Sequence, residues 1–167
     1  IDYTWRYKNL TFFGEGAISD NGGKAQIHGV LMGLDRKLDI SAVYRNYDQD
    51  YQVLNANAFG ESTQPINEKG FYLGMEMRPF KNITLSAYAD VWSHPWVAYR
   101  RDGLTDGNEF LIKLAYTQKR KMDFYVQYRI EKKQQNSSNE NIIDYPENLT
   151  LQRLRLHLSY KLTKEWE

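Results

Sequence analysis

Hydrophobic and polar residues alternate along most of this chain with a period of two, and residues 153–162 show the pattern most clearly. The hydrophobic positions of that stretch are Leu154, Leu156, Leu158, Tyr160 and Leu162. The polar positions between them are Arg153, Arg155, His157, Ser159 and Lys161. Successive side chains of an extended strand point to opposite faces. The pattern therefore predicts a β-strand with one face suited to hydrocarbon and the other suited to water.

The same alternation recurs in segments of roughly 10 to 13 residues along the chain, longer than the ~5 to 6 residues of a typical globular strand. A transmembrane strand needs about 9 to 11 residues. One such strand would fit a soluble sandwich, but these segments are too many and too long for the core they would share. The sequence therefore predicts an all-β fold, an antiparallel transmembrane (outer-membrane) β-barrel. Residues 1–167 form one barrel segment with about eight full strands.

The predicted connections alternate between short turns and long loops. Short turns are expected near residues 8, 35, 80, 119 and 164, and residues 20–23 read as a tight Asn-Gly hairpin. Long, polar loops are expected near residues 48–69, 94–108 and 132–148. Outer-membrane barrels place short turns in the periplasm and longer loops outside. This order favours the barrel over a sandwich.

The alternation assigns side chains to a lipid-facing or a lumen-facing side of the predicted wall. The predicted lipid-facing residues are Leu10, Phe12, Ile27, Leu31, Ile40, Tyr44, Leu73, Met75, Ile83, Leu85, Val91, Ile112, Leu114, Phe124, Val126, Tyr128, Leu154, Leu156, Leu158 and Tyr160. The predicted lumen-facing residues are Glu15, Lys24, His28, Asp39, Arg45, Glu76, Arg78, Asp90, Lys113, Asp123, Arg129, Glu131, Arg153, Arg155, His157 and Lys161.

The predicted lumen mixes both charge signs, whereas a selective pore is expected to carry rings of one sign. Neighbouring strands would allow Glu15 to pair with Lys24. Asp123 and Glu131 would likewise pair with Arg153 and Arg155. We therefore expect the side chains of the lumen to be connected by ion pairs around a plug or a narrow channel.

Composition narrows the function classes. The 22 basic and 21 acidic residues nearly balance, so nothing favours nucleic-acid binding. Mean hydropathy is −0.70 and no apolar run approaches the ~20 residues of a helical span, which excludes a helical membrane protein but not a barrel. The 13 tyrosines and 4 tryptophans suit membrane interfaces, although they are also good strand formers. The first residues lack a signal-peptide pattern, which predicts a mature or internal start.

Several short stretches of strand and loop residues form a recognisable pattern: Arg45-Asn46-Tyr47-Asp48, Asn57-Ala58-Phe59-Gly60-Glu61, Asn67-Glu68-Lys69-Gly70-Phe71-Tyr72-Leu73-Gly74, Arg78-Pro79, Pro95-Trp96 and residues 153–160. Together they resemble the barrel part of a family of Bacteroidota outer-membrane proteins. The resemblance covers about residues 9–164 and contains no catalytic motif. It implies an outer-membrane barrel longer than this chain, in a protein with periplasmic helix-hairpin-helix repeats. Those repeats are missing here, so their DNA binding is not carried over.

Candidate chemistry is sparse. The histidines His28, His94 and His157 do not form a metal-ligand or nucleophile motif such as H-x-x-x-H or G-x-S-x-G. Asp90, Ser93 and His94 are the candidates for a barrel-embedded hydrolase. Acidic residues in the predicted loops do not form a twelve-residue calcium loop; these are Asp48, Asp50, Glu61, Asp102, Asp106, Glu140 and Asp144. We therefore predict no enzyme activity, no metal and no cofactor.

The sequence predicts a non-enzymatic protein of the bacterial outer membrane, a transport or scaffold component of a larger envelope assembly. Its expected partners are outer-membrane lipid and either the remainder of the barrel or other envelope proteins, because lipid cannot satisfy open strand edges. No nucleic acid is expected to bind this segment. The alternatives are a soluble ligand-binding β-barrel and a barrel-embedded outer-membrane hydrolase.

Overall fold

A computed structural model of the chain describes residues 1–54, 56–97, 102–136 and 146–161. The described residues form nine β-strands, which confirms the predicted all-β class. The strands are β1 (Asp2–Tyr7), β2 (Leu10–Ile18), β3 (Lys24–Asp35), β4 (Leu38–Tyr47), β5 (Glu68–Met77), β6 (Ile83–His94), β7 (Thr105–Gln118), β8 (Met122–Asn136) and β9 (Pro146–Tyr160). No helix in these ranges is long and apolar enough to cross a membrane.

Each strand pairs antiparallel with the next one along the chain, giving one sheet in the order β1 to β9. The sheet is not closed, because β1 and β9 are its two edges and do not pair with each other. Each added hairpin lies beside the previous one, as short connections favour. The molecule is therefore an open, up-and-down nine-stranded wall.

Short turns join the strands at one end of the sheet, at residues 8–9, 36–37, 78–82 and 119–121. Lys8, Asn82 and Arg120 adopt positive φ angles of 51°, 70° and 67° in three of these turns. These connections confirm the predicted turns near residues 8, 35, 80 and 119. The turn predicted near residue 164 lies outside the described residues.

The longer connections lie at the opposite end and are shorter than predicted. β5 begins at Glu68 and β7 at Thr105, within the predicted loops 48–69 and 94–108. β8 continues to Asn136 and β9 begins at Pro146, within the predicted loop 132–148. These strand ends carry polar side chains on both faces, so alternation does not reveal them. Residues 98–101 and 137–145 lie outside the described part of the chain.

The register separates the two faces of the sheet, because directly opposite residues of antiparallel strands point to the same side. We call the side that carries Arg45 the polar face and the other side the apolar face. The polar-face residues among the predicted lumen set are Glu15, Asp39, Arg45, Glu76, Asp90, Lys113, Asp123, Arg129, Glu131, Arg153, Arg155 and His157. Arg78 and Lys161 follow the ends of β5 and β9.

For β3 the predicted lipid-facing and lumen-facing residues were interchanged. Ile27 lies opposite Glu15 and Arg45 and Leu31 opposite Thr11 and Ser41, so both are on the polar face. Lys24 and His28 consequently point to the apolar side. The hydrophobic residues of β3 fall on both sides of the strand, and its alternation alone favoured the wrong one. The other predicted lipid-facing residues all share the apolar face.

The buried residues lie mainly on the polar face, near the long-loop end. The buried hydrophobic residues are Val43, Tyr47 and Trp92. They are outnumbered by buried polar and charged residues: Arg45, Asn67, Glu68, Asp90, His94, Thr105, Glu109 and Glu131. The packed region of this molecule is therefore a layer of charges on one side of the sheet.

Candidate functional site

Three buried carboxylates lie side by side in the centre of the charged layer. Asp90 on β6 is directly opposite Glu109 on β7, which is directly opposite Glu131 on β8. Their exposed fractions are 6%, 5% and 6%. Like charges in directly opposite positions repel each other. The row is therefore stable only where cations from neighbouring positions compensate it.

Arg45 on β4 supplies the first compensation. Its Nε donates to Glu68 Oε1 at 2.6 Å, and its Nη1 donates to Asp90 Oδ1 at 2.8 Å. Arg45 and Glu68 are almost fully buried, with 0% and 1% of their surface exposed. Charge-assisted bonds of this geometry are strong, and they offset the cost of removing both charges from water.

Arg129 and Lys133 on β8 compensate the other end of the row. Arg129 Nη2 donates to Glu109 and lies 3.4 Å from Glu131 Oε2, while Lys133 Nζ lies 3.0 Å from Glu131 Oε1. The Tyr88 hydroxyl also donates to Glu109. The layer consists of the carboxylates Glu68, Asp90, Glu109 and Glu131 with Arg45, Arg129 and Lys133. It therefore has an excess of one negative charge.

Glycines make room for the two largest side chains of the layer. Arg45, Gly70, Trp92 and Gly107 follow one another in a single cross-strand row. A Cβ at Gly70 would overlap the Arg45 guanidinium, and one at Gly107 would overlap the Trp92 ring. Large and small residues thus alternate across the polar face, as they do inside small barrels.

Loop 48–67, which joins β4 to β5, folds onto this layer. The Glu68 carboxylate accepts hydrogen bonds from the backbone N–H groups of Glu61, at 3.0 and 3.1 Å, and Ser62, at 3.1 Å. The Tyr47 hydroxyl donates to the Phe59 carbonyl at 2.8 Å, and the Arg45 guanidinium lies 5.3 Å from the Phe59 ring centroid. The loop therefore contacts the same two charged residues that hold the layer together.

The base of loop 48–67 also contacts the segment after β6. Asn67 Nδ2 donates to the Trp96 carbonyl at 2.7 Å, and the Asn67 N–H donates to the Asp48 carbonyl at 3.1 Å. Asn67 has a φ of 54°, a conformation that asparagine tolerates better than most residues. These bonds hold the two ends of the loop together.

Glu61 sits near several carboxylates. Burial against the layer and, after it, the negative charges of the neighbouring carboxylates together raise the pKa of Glu61 to about 7; these carboxylates are Glu109, Asp90, Glu131 and Glu68. Much of the residue as a whole is still exposed, so solvent screens part of this effect. The docked loop therefore favours the protonated form of Glu61.

Towards the short-turn end, the sheet is more open than at the charged layer. A groove of about 480 Å³ there is lined in part by Ser41, Tyr72, Glu76, Ser86 and Tyr88. The rings of Tyr72 and Tyr88 lie 5.4 Å apart, and Phe59 of the loop meets Tyr72 edge-on. The loop thus covers the polar face at one end and leaves this groove open at the other.

The predicted hydrolase candidates do not assemble a triad. Ser93 lies opposite Lys69 and Asp106 on the apolar side, away from Asp90 and His94. His94 Nε2 lies 3.5 Å from Ser62 Oγ and 3.9 Å from Glu68, while its Nδ1 lies 3.3 Å from Thr105 Oγ1. A triad needs the carboxylate on the histidine nitrogen away from the nucleophile. Here Ser62 and Glu68 approach the same nitrogen.

The other two histidines are far apart. His28 Nδ1 lies 3.0 Å from the Tyr3 hydroxyl on the apolar side, and His157 stacks on Tyr125 on the polar side. Within the described ranges, no three His, Cys, Asp or Glu residues are placed to hold a metal ion. The predicted loop acids Glu140 and Asp144 lie outside those ranges.

The predicted ion pairs were replaced by others. Lys24 lies opposite Ile18, and the alternation of β2 puts Glu15 on the other side of the sheet, so the Glu15–Lys24 pair was wrong. Glu131 pairs with Arg129 and Lys133 instead of Arg153 or Arg155. Asp123 accepts a hydrogen bond from Thr117. Asp39 and Glu76 both pair with Arg78 near the short-turn end.

Glu68, Glu109 and Trp92 were not singled out from the sequence. Glu109 continues the polar positions of β7, so extending the alternation before residue 110 would have found it. Glu68 gave no signal, because it stood in a segment read as loop.

A scan against family models, a search of curated proteins and a search of solved structures each found no match to this chain.

Proposed function

We propose that this chain forms part of the wall of a transmembrane β-barrel in the bacterial outer membrane. It is a non-enzymatic transport or scaffold component of a larger envelope assembly. The polar face lines the lumen, and loop 48–67 fills that lumen near the long-loop end. The observation that carries the proposal is the inverted distribution of charged and apolar side chains.

Charged residues are buried in this molecule while large apolar residues are exposed. Arg45 and Glu68 are 0% and 1% exposed, whereas Leu73, Val91 and Leu114 are 48%, 51% and 50% exposed. Soluble proteins seldom bury such charges or expose extended apolar patches. Contact with lipid on the apolar face would account for the exposed apolar side chains, and a lumen filled by loop 48–67 would account for the buried charges on the polar face.

The apolar face forms a band with a polar margin towards the long loops. On β7 the band runs from Phe110 to Tyr116, and on β8 it runs from Met122 to Ile130. These spans correspond to about 20 to 26 Å along each strand. Beyond the band, Asn108 and Lys132 follow on the same side. Outer-membrane barrels have an apolar band of about 25 Å between polar margins.

Aromatic residues mark the other margin of the band. Trp5, Tyr7 and Tyr160 lie near the short turns and are 57%, 52% and 64% exposed. Trp5 stacks on Tyr7 and on Phe12, which extends the aromatic surface along β1 and β2. Tyrosine and tryptophan favour the membrane interface. Their position supports a membrane boundary at the short-turn end.

The strands are staggered as closure into a barrel requires. One row of directly opposite residues runs from Leu10 on β2 through Met32 and Ile112 to Tyr128 on β8. Leu10 directly follows the first short turn, whereas Tyr128 lies eight positions after Arg120 in the last one. Barrel strands tilt, and this tilt produces such a stagger.

The edges β1 and β9 imply that other strands complete the wall. Lipid offers no hydrogen bonds to an open strand edge. Further strands of this protein or strands of other envelope proteins would therefore close the barrel. The resemblance to the Bacteroidota family with periplasmic helix-hairpin-helix repeats is part of the same proposal. The barrel of that family is longer than this chain, which favours closure by further strands of the same protein.

Arginine substitutions on the two faces test the membrane proposal. Leu114→Arg puts a charge in the apolar band, and Ser86→Arg puts the same charge on the polar face, between Glu76 and Lys113, whose charges have opposite signs. In liposomes we expect Leu114→Arg to lower folding stability by about 2 to 4 kcal/mol, measured by urea titration. Ser86→Arg is expected to have a much smaller effect. If Leu114→Arg did not lower the folding stability, water and not lipid would cover this face.

Conductance in planar bilayers separates transport from a scaffold role. A filled lumen predicts little current from the unmodified protein, and steady current would indicate an open pore. A purified chain that stays monodisperse without detergent would instead favour the soluble ligand-binding barrel.

A further inference from the structure

We propose that loop 48–67 is a lid over the polar face and that the carboxylate of Glu68 is the latch that keeps it closed. The inference deepens the proposed function and rests on it only in identifying the polar face as the lumen. The latch itself depends on contacts within the chain.

Glu68 joins the loop to the wall through one side chain. Its carboxylate binds Arg45 of the wall and accepts the backbone N–H groups of Glu61 and Ser62 from the loop. An ionised carboxylate has only acceptor sites and can serve all these donors at once. A glutamine has one acceptor oxygen, and its NH₂ group would face donors. Glu68→Gln should therefore weaken loop docking at this point.

The loop has other anchors as well. At its start Asn21 Nδ2 donates to the Asp50 carbonyl at 2.6 Å, and the Gln52 N–H donates to Ser19 Oγ at 3.3 Å. Beyond Glu61, the Ser62 hydroxyl lies 3.5 Å from His94 Nε2.

Two more contacts hold the loop at Phe59. The Tyr47 hydroxyl binds the Phe59 carbonyl, and the Arg45 guanidinium faces the Phe59 ring. Among the described residues of loop 48–67 only Pro65 and Asn67, both close to β5, are buried, and none belongs to a strand. Segments with little buried apolar surface open at low free-energy cost. Release of the Glu68 bonds should therefore free the part of the loop around residues 59–63, while the start of the loop stays anchored to Ser19 and Asn21 and the sheet stays folded.

The loop covers only one end of the polar face, so its opening would change access to the lumen. The loop covers Arg45 and Tyr47 at the long-loop end, whereas the groove near Tyr72 and Tyr88 is open towards the short turns. Phe59 of the loop contacts Tyr72 at the boundary between these regions. Opening the lid would join the groove to the long-loop side and create a continuous path along the polar face.

The distance between two spin labels measures lid opening directly. The chain contains no cysteine, so Thr63→Cys in the loop and Asn108→Cys on β7 provide two unique labelling sites. Pulsed electron paramagnetic resonance on the detergent-folded protein should give one narrow distance for the otherwise unmodified chain. Glu68→Gln should add a longer distance and raise the open-to-closed ratio about ten-fold or more, because a charged hydrogen-bond acceptor is lost.

Glu76→Gln is the matched control, since it makes the same change in a polar-face glutamate that pairs with Arg78 away from the loop. Its distance distribution should match that of the unmodified chain. An unchanged distribution in folded Glu68→Gln would overturn the latch. This experiment needs no membrane, so its failure is distinguishable from failure of the liposome test of Leu114→Arg.

A second variant avoids any change to the buried charges. A Cβ at Gly60 would lie 3.0 Å from Glu68 Oε1, so Gly60→Val should push the loop away from the latch. Circular dichroism should show unchanged β-structure, and the label distance should lengthen as in Glu68→Gln. If Glu68→Gln does not fold, a narrow, unshifted distance in Gly60→Val overturns the proposal.

Discussion

At the scale of single residues, Arg45 has the greatest structural consequence. It joins Glu68 and Asp90, and the three are more buried than almost any hydrophobic residue in the described chain. Removing one partner from a buried ion pair leaves the others charged and unpaired, which costs more than the intact pair contributes. The stability of this face therefore depends on Arg45 staying paired with both carboxylates.

Arg45→Met should destabilise the folded protein by about 3 to 5 kcal/mol, because Glu68 and Asp90 would lose their buried cation. Chemical denaturation in detergent, followed by circular dichroism, measures the loss. Arg78→Met is the matched control, since Arg78 pairs with Asp39 and Glu76 in an exposed position. That variant should change stability little. Equal effects of the two substitutions would contradict a special role for the buried pair.

Glu61 should make lid closure depend on pH. Docking raises the pKa of Glu61 from its ordinary value of 4.5 to about 7, so the closed state retains a proton that the open state releases. Closure should therefore weaken as pH rises from about 4.5 to about 7, and stay constant above that range. The label distance between Thr63→Cys and Asn108→Cys, recorded at pH 5 and pH 8, measures this shift.

Glu61→Gln separates this effect from other titrations. His94 contacts Ser62, next to Glu61 in the chain, and the carboxyl groups of Glu68, Asp90, Glu109 and Glu131 also lie near Glu61. Arg45 pairs with two of them, Glu68 and Asp90. Glutamine resembles the protonated acid, so the variant should remain closed at pH 8. A pH response unchanged by Glu61→Gln would assign the titration to another group.

At the scale of strands, close packing between neighbours depends on glycines in defined rows. Trp92 on β6 occupies the space beside Gly107 on β7, and Arg45 on β4 occupies the space beside Gly70 on β5. The spacing of strands in a sheet is constant, so a large side chain needs a small opposite neighbour. These glycines serve packing and do not require a positive φ.

Gly107→Ala should destabilise the protein by about 1 to 3 kcal/mol, because the added methyl group overpacks against Trp92. The summed fluorescence of the four tryptophans should shift as the Trp92 ring moves. Gly16→Ala is the matched control, because a Cβ there meets no atom within 4 Å. That change should be neutral or slightly stabilising. A stable Gly107→Ala variant with unchanged fluorescence would show that the Trp92 pocket is not tightly packed.

At the scale of the whole molecule, β9 is the critical element. It pairs with β8 over its full length, and its other edge is unpaired in the described sheet. Its polar-face residues Arg153, Arg155 and His157 are exposed as well. A further strand would satisfy the backbone groups of this edge.

Hydrogen exchange of β9 should show whether the wall continues. In the isolated chain, β9 amides that point to the open edge should exchange much faster than amides of β5, which pairs on both sides. In native membranes, protection of β9 equal to that of β5 is expected if another strand covers the edge. Rapid exchange in both settings would contradict completion of the wall next to β9.

The extent of sequence prediction differed from strand to strand. On β7, β8 and β9 the hydrophobic positions cluster on one side over many residues, so period two identified both faces. On β3 the hydrophobic residues are divided, with Ile27 and Leu31 on one face and Val30 and Met32 on the other. Only the pairing with β2 and β4 shows which face each side chain of β3 points to, because the register is set between neighbouring strands.

The sequence by itself determined the all-β class, the order of short and long connections and the faces of most strands, because these depend on local alternation and turn residues. The tertiary structure decided the charged layer and the docking of loop 48–67. Arg45, Glu68 and Asp90 come from three strands and meet only after pairing. Charge pairing depends on distances in space between residues that are far apart in the sequence, and the sequence alone does not give these distances.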